Sequence, residues 1–493
     1  MSSLPFSENI DALAPSAVWR HFADLCAIPR PSKGEAAVRE HLHTWAAAHG
    51  LSIEVDAVGN VLIRKPATPG YENAPGVVLQ SHLDMVCQCN AGIVHDFHRD
   101  PIVPVLRDGW LIAEQTTLGA DNGIGVALML AALENRSLVH GPLEALLTVD
   151  EESGMGGARG LMPGWLQGRL MLNLDTEEWG QFYLGCAGGI DVNVQATGRA
   201  EEVPAGFVGG RIEVSGLRGG HSGINIHEGR GHAIKLLVRL LRQLERRFPV
   251  RLAALQGGTA RNALPREASA ELALPADDWA SLDALLAEWE SRFRHELEGV
   301  DAEIRLRRVP CALQQVMSAA DQARWLAALH AAPQGVRRMS VGVPGVVETS
   351  DNLGVLAVSP TGGKANFMVR SLVDSAALDL AEEIASLFSL AGIDAVLSGA
   401  YPGWRPNPSS PLLAVCQATF GASFDERSTT QVIHAGLECG LIGGKYPDMD
   451  MVSFGPTIHG AHAPGERVEV ASVERCWRLL VAILAALSGP SKG

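Results

Sequence analysis

Val77-Val78-Leu79-Gln80-Ser81-His82-Leu83-Asp84 is the stretch that decides the fold. It opens as a short, largely apolar run over 77–80 and closes on a histidine and an aspartate. Continuous rather than alternating hydrophobicity marks a strand covered on both faces, as in a parallel sheet clothed by helices. Residues 143–149 and 170–174 have the same character, and they too end on polar groups, Asp150-Glu151-Glu152 and Asp175. A helix expected over 123–134 separates the first two runs, which gives the alternation of an α/β domain.

The flanking sequence fits that core. Pro15 and Ser16 open an amphipathic helix carrying Val18, Trp19, Phe22 and Leu25, and Pro29 and Pro31 stop it. Ser32-Lys33-Gly34-Glu35 reads as a capping box for a second helix that ends at Gly50. A hairpin follows, with Ile53 and Val55 on one arm, a turn at Gly59-Asn60, and 61–63 on the other. The middle of the chain has a different order: strand 211–214, helix 231–247, strands near 251–255 and 268–274, helix 279–297 and strand 303–309. That β-α-β-β-α-β sequence suits a split βαβ layer. The tail, with 411–420, 449–454 and a helix over 473–487, returns to sheet-and-helix material. The expected fold is α/β: a mixed, largely parallel sheet domain with helices on both faces, formed by 1–187 and 397–493 and interrupted by an inserted α+β domain over 188–396.

Composition bounds the function. The 493 residues are 47% hydrophobic and 19% charged, ample for buried cores and unlike a disordered chain. Forty Lys and Arg against 55 Asp and Glu give a net charge of −15, which on average repels nucleic acid. The eight cysteines are scattered, with a single close pair at Cys87 and Cys89, and read as reduced thiols of a cytoplasmic protein. The first residues lack the basic and apolar regions of a signal peptide, and the apolar run over 479–487 is about half of the roughly 20 residues a membrane span needs.

The chemistry gathers where strands end. In an open α/β sheet the carboxyl ends of the strands converge on one crevice, so residues distant in sequence share a site. His82 and Asp84, Glu151 and Glu152, and Asp175 follow three buried strands; His462 follows 449–454; Asp121 sits at the expected start of a helix. Singly, each has an ordinary reading: a polar strand end, a solvated acidic loop, a helix cap. Together they are a metal-ligand inventory. One zinc ion needs three protein ligands and a water; two ions sharing Asp121 would use five and would ionise a water between them near neutral pH. Of the adjacent Glu151 and Glu152, one would bind metal while its neighbour takes the proton of the nucleophilic water.

Several motifs carry a family resemblance: Ser81-His82-Leu83-Asp84-Met85-Val86, Gly119-Ala120-Asp121-Asn122-Gly123-Ile124-Gly125, and Asp150-Glu151-Glu152-Ser153-Gly154-Met155-Gly156-Gly157. It continues through the segment from Gly216 to Gly223, Arg261-Asn262-Ala263-Leu264-Pro265, Arg370-Ser371-Leu372 and His462-Ala463-Pro464-Gly465-Glu466. In order, and over nearly the whole chain, these are similar to the aminoacylhistidine dipeptidases, cytosolic two-zinc metallopeptidases. The resemblance implies that His82, Asp121 and Asp175 hold one zinc and that Asp121, Glu152 and His462 hold the other; manganese or cobalt could also occupy oxygen-rich sites like these. It implies that Asp84 orients His82, that Glu151 is the general base, and that the insert is a lid and homodimerisation domain. From the insert it implies that His221 reaches the partner's site to stabilise the oxyanion and that Asn262 and Arg370 hold the substrate carboxylate. His434 and Glu438, in His434-Ala435-Gly436-Leu437-Glu438, also match and are expected to line the pocket.

The implied function is hydrolysis of small dipeptides, preferentially Xaa-His and including β-Ala-His. The competing readings are another amide hydrolase of the same clan (a carboxypeptidase, tripeptidase or N-deacylase) and a non-catalytic protein with this fold. Two near-misses are set aside. His227 and His232 are five apart, so they would not share a helix face as a zincin pair does, and Gly443-Gly444-Lys445 lacks the first glycine and the Ser or Thr of a phosphate loop.

Overall fold

The computed structural model describes residues 13–489. The chain forms two compact units. The first runs to Gly185, resumes over Pro406–Val432 and continues from Glu438; the second comprises Cys186–Arg405 and Ile433–Leu437.

An eight-stranded sheet is the backbone of the first unit, in the order Ser52–Val55, Val61–Lys65, Leu143–Thr148, Val77–His82, Leu170–Asn173, Asp450–Ser453, Gln181–Cys186 and Thr429–Ile433. Its four central strands run parallel, and antiparallel strands flank them on both sides. Every residue of Val77–His82 and Leu143–Thr148 is buried, which is why these strands lack alternation. Helix Ala120–Glu134 is buried along nearly its whole length. A Cβ at its Gly125 would lie 2.6 Å from Ser81 Oγ and 2.7 Å from Leu174 O, so only glycine lets the helix approach the strand ends this closely. Helix Ser16–Ala27 turns Val18, Trp19, Phe22 and Leu25 inward.

The expected capping box is not formed. Helix Ala36–His49 starts one residue after Glu35 and has no side-chain cap. Ser32 instead donates to Asp84 Oδ2 at 2.7 Å, and Glu35 Oε1 accepts from Lys33 N and Asp150 N, both at 2.9 Å. A buried carboxylate and a loop N–H distant in sequence capture the side chains that local geometry had assigned to a helix end.

In the second unit a nine-stranded sheet is antiparallel throughout. At one edge Arg305–Pro310, Phe207–Ser215, Ala268–Pro275 and Arg251–Gly257 lie in the spatial order fourth, first, third, second, and helices Ala233–Arg247 and Trp279–Glu296 make the two crossovers. That is the split βαβ arrangement read from the sequence. Ile234, Leu237, Val238, Leu241 and Leu244 repeat at helical spacing and pack into the sheet-facing core.

The domain boundary expected at 397 falls within strand Asp394–Tyr401, which pairs with Gly188–Thr197 and so belongs to the second sheet. Nor did the sequence suggest that Ile433–Leu437 joins the second unit, where Ala187 N donates to both Ile433 O and Ala435 O at 3.1 Å. The two near-miss motifs are structural. His232 caps helix Ala233–Arg247 by accepting from Lys235 N, and Lys445 ends helix Glu438–Lys445 and donates to the carbonyls of Ala158 and Leu161. Among the described residues the cysteines are free thiols. Among the described residues no helix is long and apolar enough to cross a membrane.

Candidate metal centre

Five ligand-type side chains meet at the carboxyl ends of the first unit's parallel strands. His82 ends its strand, Asp175 lies two residues past Leu170–Asn173, and Glu152 follows Leu143–Thr148. Asp121 stands beside Gly119, whose φ of 71° turns the chain into the helix, and neither Asp121 nor Asn122 is yet helical. His462 is held at φ 65° in the loop between Ile458–His459 and Arg467–Glu469.

Asp121 divides its carboxylate between two histidines. His82 Nε2 lies 3.2 Å from Asp121 Oδ1 and 3.6 Å from Asp175 Oδ1; His462 Nε2 lies 3.2 Å from Asp121 Oδ2 and 3.2 Å from Glu152 Oε2. Two ligand atoms that each sit about 2.1 Å from a tetrahedral cation are roughly 3.4 Å apart. The donor set, imidazole nitrogen and carboxylate oxygen, suits zinc and its divalent neighbours. Glu152 Oε1 is buried without a hydrogen-bond partner, and ligand atoms of His82, Asp121 and Glu152 lie within 4.8 Å of one another. The residues fit divalent cations, with Asp121 common to both halves.

A buried carboxylate braces this group from behind. Asp84 accepts from Glu151 N at 3.0 Å, from Glu152 N at 3.1 Å and from the Ser32 hydroxyl, so one side chain fixes both glutamates. Its carbonyl lies 3.1 Å from His82 Nδ1 and its Oδ1 lies 3.4 Å away, which puts the imidazole proton on Nδ1 and leaves Nε2 free to ligate. Burial alone would raise the Asp84 carboxyl; the hydrogen bond and charge of His82, with the donors from Ser32 and Glu151, outweigh it and hold the group below the usual carboxylate range. Glu151 goes the other way. Burial, then the charges of Asp175, Glu438 and Glu152, push it well above that range although His82 opposes them. Asp175 is pushed up to about 6, first by burial and then by Asp121 and Glu152, against His82.

Two residues that the sequence reading passed over hold the loops in place. Glu466 accepts four consecutive backbone N–H groups: Leu118 N at 2.7 Å and Gly119 N at 3.0 Å on Oε2, Ala120 N at 2.8 Å and Asp121 N at 3.2 Å on Oε1. Arg30, fully buried, donates to Leu83 O at 2.9 Å, Asp84 O at 3.0 Å and Gly119 O, tying the His82 loop to the Asp121 loop. Glu466 stood in a quoted motif without a role, and Arg30 lay between two prolines read only as a helix stop. Glu438 is 2% exposed, and its Oε2 accepts from Gln80 Nε2 at 2.7 Å and Thr148 Oγ1 at 2.6 Å.

The other candidate residues belong to the second unit. Arg370, in strand Gly362–Ser371, is 4% exposed; Nη1 donates to Tyr401 Oη at 3.0 Å and Nε faces Ser222 Oγ at 3.5 Å, and no carboxylate pairs with it among the described residues. A buried guanidinium without an acidic partner is suited to an anion. His221 Nδ1 accepts from Gly223 N and Ile224 N, both at 3.1 Å, so the neutral ring carries its proton on Nε2. Burial, with help from Arg370, pushes His221 down to about 4. His434 contacts Ser350 Oγ at 2.7 Å and is pushed down to about 3, by burial first and then by Arg370 and His221. A Cβ at Gly223 would lie 1.9 Å from His434 O, so glycine alone lets these segments meet. Asn262 is exposed, and its carbonyl accepts from Ser222 N at 2.8 Å.

Comparison with known proteins follows the same lines. The model of peptidase family M20/M25/M40 matches residues 78–486. The cytosol non-specific dipeptidase of Escherichia coli (strain K12) is 45% identical over 477 residues, covering 97% of this chain and 98% of the relative. The crystal structure of the aminoacylhistidine dipeptidase from Vibrio alginolyticus matches with a TM-score of 0.90 at 45% identity, covering 99% of each chain. A tripeptidase from Staphylococcus aureus shares the fold, at 15% identity and a TM-score of 0.55 over 97% of this chain and 100% of its own.

Glu466→Gln puts an amide donor against the N–H groups it should receive. It is expected to weaken divalent-cation binding by about 10- to 100-fold, the usual cost of losing a residue that orients a ligand, as read by calorimetric titration of metal-free protein. The buried neutral histidines set a pH dependence. His232 and His434, both pushed down to about 3 mainly by burial, bind a proton readily only when unfolded. Their contribution to stability is complete above the unfolded value of about 6.5 and falls as pH drops from there toward 3. At pH 5 each is expected to cost about 2 kcal/mol, which scanning calorimetry of metal-free protein between pH 7 and 5 would register as a falling unfolding temperature.

Proposed function

The chain belongs to peptidase family M20/M25/M40 and is a peptide hydrolase, and on that premise we propose that it cleaves unblocked dipeptides, preferentially those with C-terminal histidine and including β-Ala-His. The carrying observation is the Asp121 carboxylate, with one oxygen toward His82 and the other toward His462, in a crevice that also holds a half-buried Glu151. The names of the two relatives, a non-specific dipeptidase and an aminoacylhistidine dipeptidase, support the substrate class.

Two zinc ions, or manganese or cobalt in their place, held by His82, Asp121 and Asp175 and by Asp121, Glu152 and His462, would polarise the scissile carbonyl and acidify the attacking water. Glu151 takes the proton of that water and returns it to the departing amine. Its raised affinity for protons suits both steps, because a base that holds its proton too weakly removes none at neutral pH. Asp84 keeps the His82 proton on Nδ1 and anchors the Glu151 main chain.

Arg370 is proposed to receive the substrate carboxylate with Asn262, since its guanidinium has no acid partner of its own and its planar fork matches two oxygens. His221 is proposed to donate Nε2–H to the developing oxyanion from the partner chain of a homodimer assembled through the second unit; its low proton affinity keeps it a neutral donor. His434 is proposed to line the substrate pocket. The working location is the cytoplasm, as the name of the Escherichia coli relative suggests.

Metal-replete protein is expected to hydrolyse Gly-His and β-Ala-His and to leave N-acetylhistidine and tripeptides intact in a chromatographic assay. Preference for the acylated amino acid or for tripeptides would instead identify a deacylase or tripeptidase. Glu151→Gln is expected to retain its cations, by elemental analysis, and to lose about 10²- to 10⁴-fold in kcat.

A further inference from the structure

A row of buried polar side chains crosses the first unit's parallel strands next to the candidate ligands His82 and Asp175. Ser453, Asn173 and Gln80 stand in register on three adjacent strands, and Thr148, paired with His82, continues the row on a fourth. All four are buried, and Thr148, Asn173 and Ser453 are the last residues of their strands. Apolar residues of similar size would fill the same space without the cost of stripping water from polar groups.

The hydrogen bonds of the row run one way. The Ser453 hydroxyl donates to Asn173 Oδ1; Asn173 Nδ2 donates to Gln80 Oε1; Gln80 Nε2 donates to Thr148 Oγ1 at 3.2 Å and to Glu438 Oε2 at 2.7 Å; and the Thr148 hydroxyl donates to the same Glu438 oxygen at 2.6 Å. Each amide is oriented by the one before it, and the polarity ends on one carboxyl oxygen. The other, Glu438 Oε1, is buried without a hydrogen-bond partner. No Lys or Arg pairs with Glu438 among the described residues, and it sits among Asp84, Asp175 and Glu151, whose charges act on it or feel its own. Burial, with the charges of Asp175 and Asp84 and against His82 and the Thr148 hydrogen bond, pushes the Glu438 carboxyl up to about 7, so it is fully ionised only when positive charge lies close by.

The row also touches the ligands' own backbone. Gln80 and Asn173 precede His82 and Asp175 by two residues, and so share a strand face or end with them, and Asn173 Oδ1 accepts from Asp175 N at 3.3 Å.

We propose that Glu438, held by the Ser453–Asn173–Gln80–Thr148 row, is a positioning residue for the metal centre: a buried negative charge beside the ligands that strengthens the hold on divalent cations without ligating them. This role for Glu438 differs from lining a substrate pocket, and it rests on the reading that the crevice binds such cations. The row fixes where the charge sits, and the cations offset the repulsion among the carboxylates around it.

Glu438→Gln separates charge from shape, because the amide oxygen can still accept from Gln80 and Thr148. Full-length protein is stripped with a chelator and titrated with Zn²⁺ by calorimetry, and unfolding temperatures are recorded with and without zinc. E438Q is expected to bind zinc about 10- to 100-fold more weakly while the metal-free protein unfolds at the same or a higher temperature. Thr148→Val, which removes one donor to the carboxylate, is expected to weaken zinc binding in the same direction by a smaller factor. Zinc affinity of E438Q within twofold of the natural protein overturns the proposal. So does a loss of affinity matched by a lower unfolding temperature of the metal-free variant, which would make Glu438 merely structural. If the natural protein itself takes up no zinc, manganese or cobalt, the metal reading of the crevice fails, and this inference with it.

Discussion

The four hydrogen bonds from successive backbone N–H groups to the Glu466 carboxylate fix the rest of the site. A turn that presents Leu118, Gly119, Ala120 and Asp121 N–H toward one point cannot rotate without stranding them, and an unsatisfied buried N–H costs about 1–3 kcal/mol. The turn therefore has one setting, in which the two oxygens of Asp121 face different histidines. Arg30 completes the frame by binding the carbonyls on either side of the crevice. Neither residue is a candidate ligand, yet the separation of the two half-sites follows from them.

Charge left uncompensated is the other theme. The first unit gathers Asp84, Asp175, Glu151 and Glu438 close together, and their mutual repulsion is answered within the chain mainly by His82 and by hydrogen bonds from Ser32, Thr148 and the Glu151 backbone. Such a group is stable in proportion to the positive charge it can recruit, which is the electrostatic reason to read it as a cation site. In the second unit the imbalance has the opposite sign. Arg370 is buried with a tyrosine and a serine for company, and the histidines near it are neutral. Each unit is poised for a ligand of a different charge.

Much of this was legible in the sequence because the physics involved is local. Unbroken hydrophobicity in 77–80, 143–149 and 170–174 follows from burial on both faces, and His82, Glu152 and Asp175 could be grouped because parallel strands must end on the same side. The split βαβ order of the insert was equally plain. What misled was local pattern in competition with distant partners. Ser32 and Glu35 have capping-box spacing, but Asp84 and Asp150 N engage them. The residues at 397 look like a return to the first sheet, but strand Asp394–Tyr401 pairs with Gly188–Thr197.

The sequence by itself determined the element types, the parallel core and which side chains gather at its carboxyl edge, since periodicity and strand direction are properties of short segments. Only the tertiary structure decided that Glu466 and Arg30 hold the loops, that Glu438 is buried beside the ligands rather than facing open space, and that residues 433–437 join the second unit. Those outcomes depend on which donor meets which acceptor across tens to hundreds of residues. A carboxylate in a motif looks the same whether it will ligate, accept four N–H groups or sit unpartnered in a sheet, and folding alone assigns it one of these.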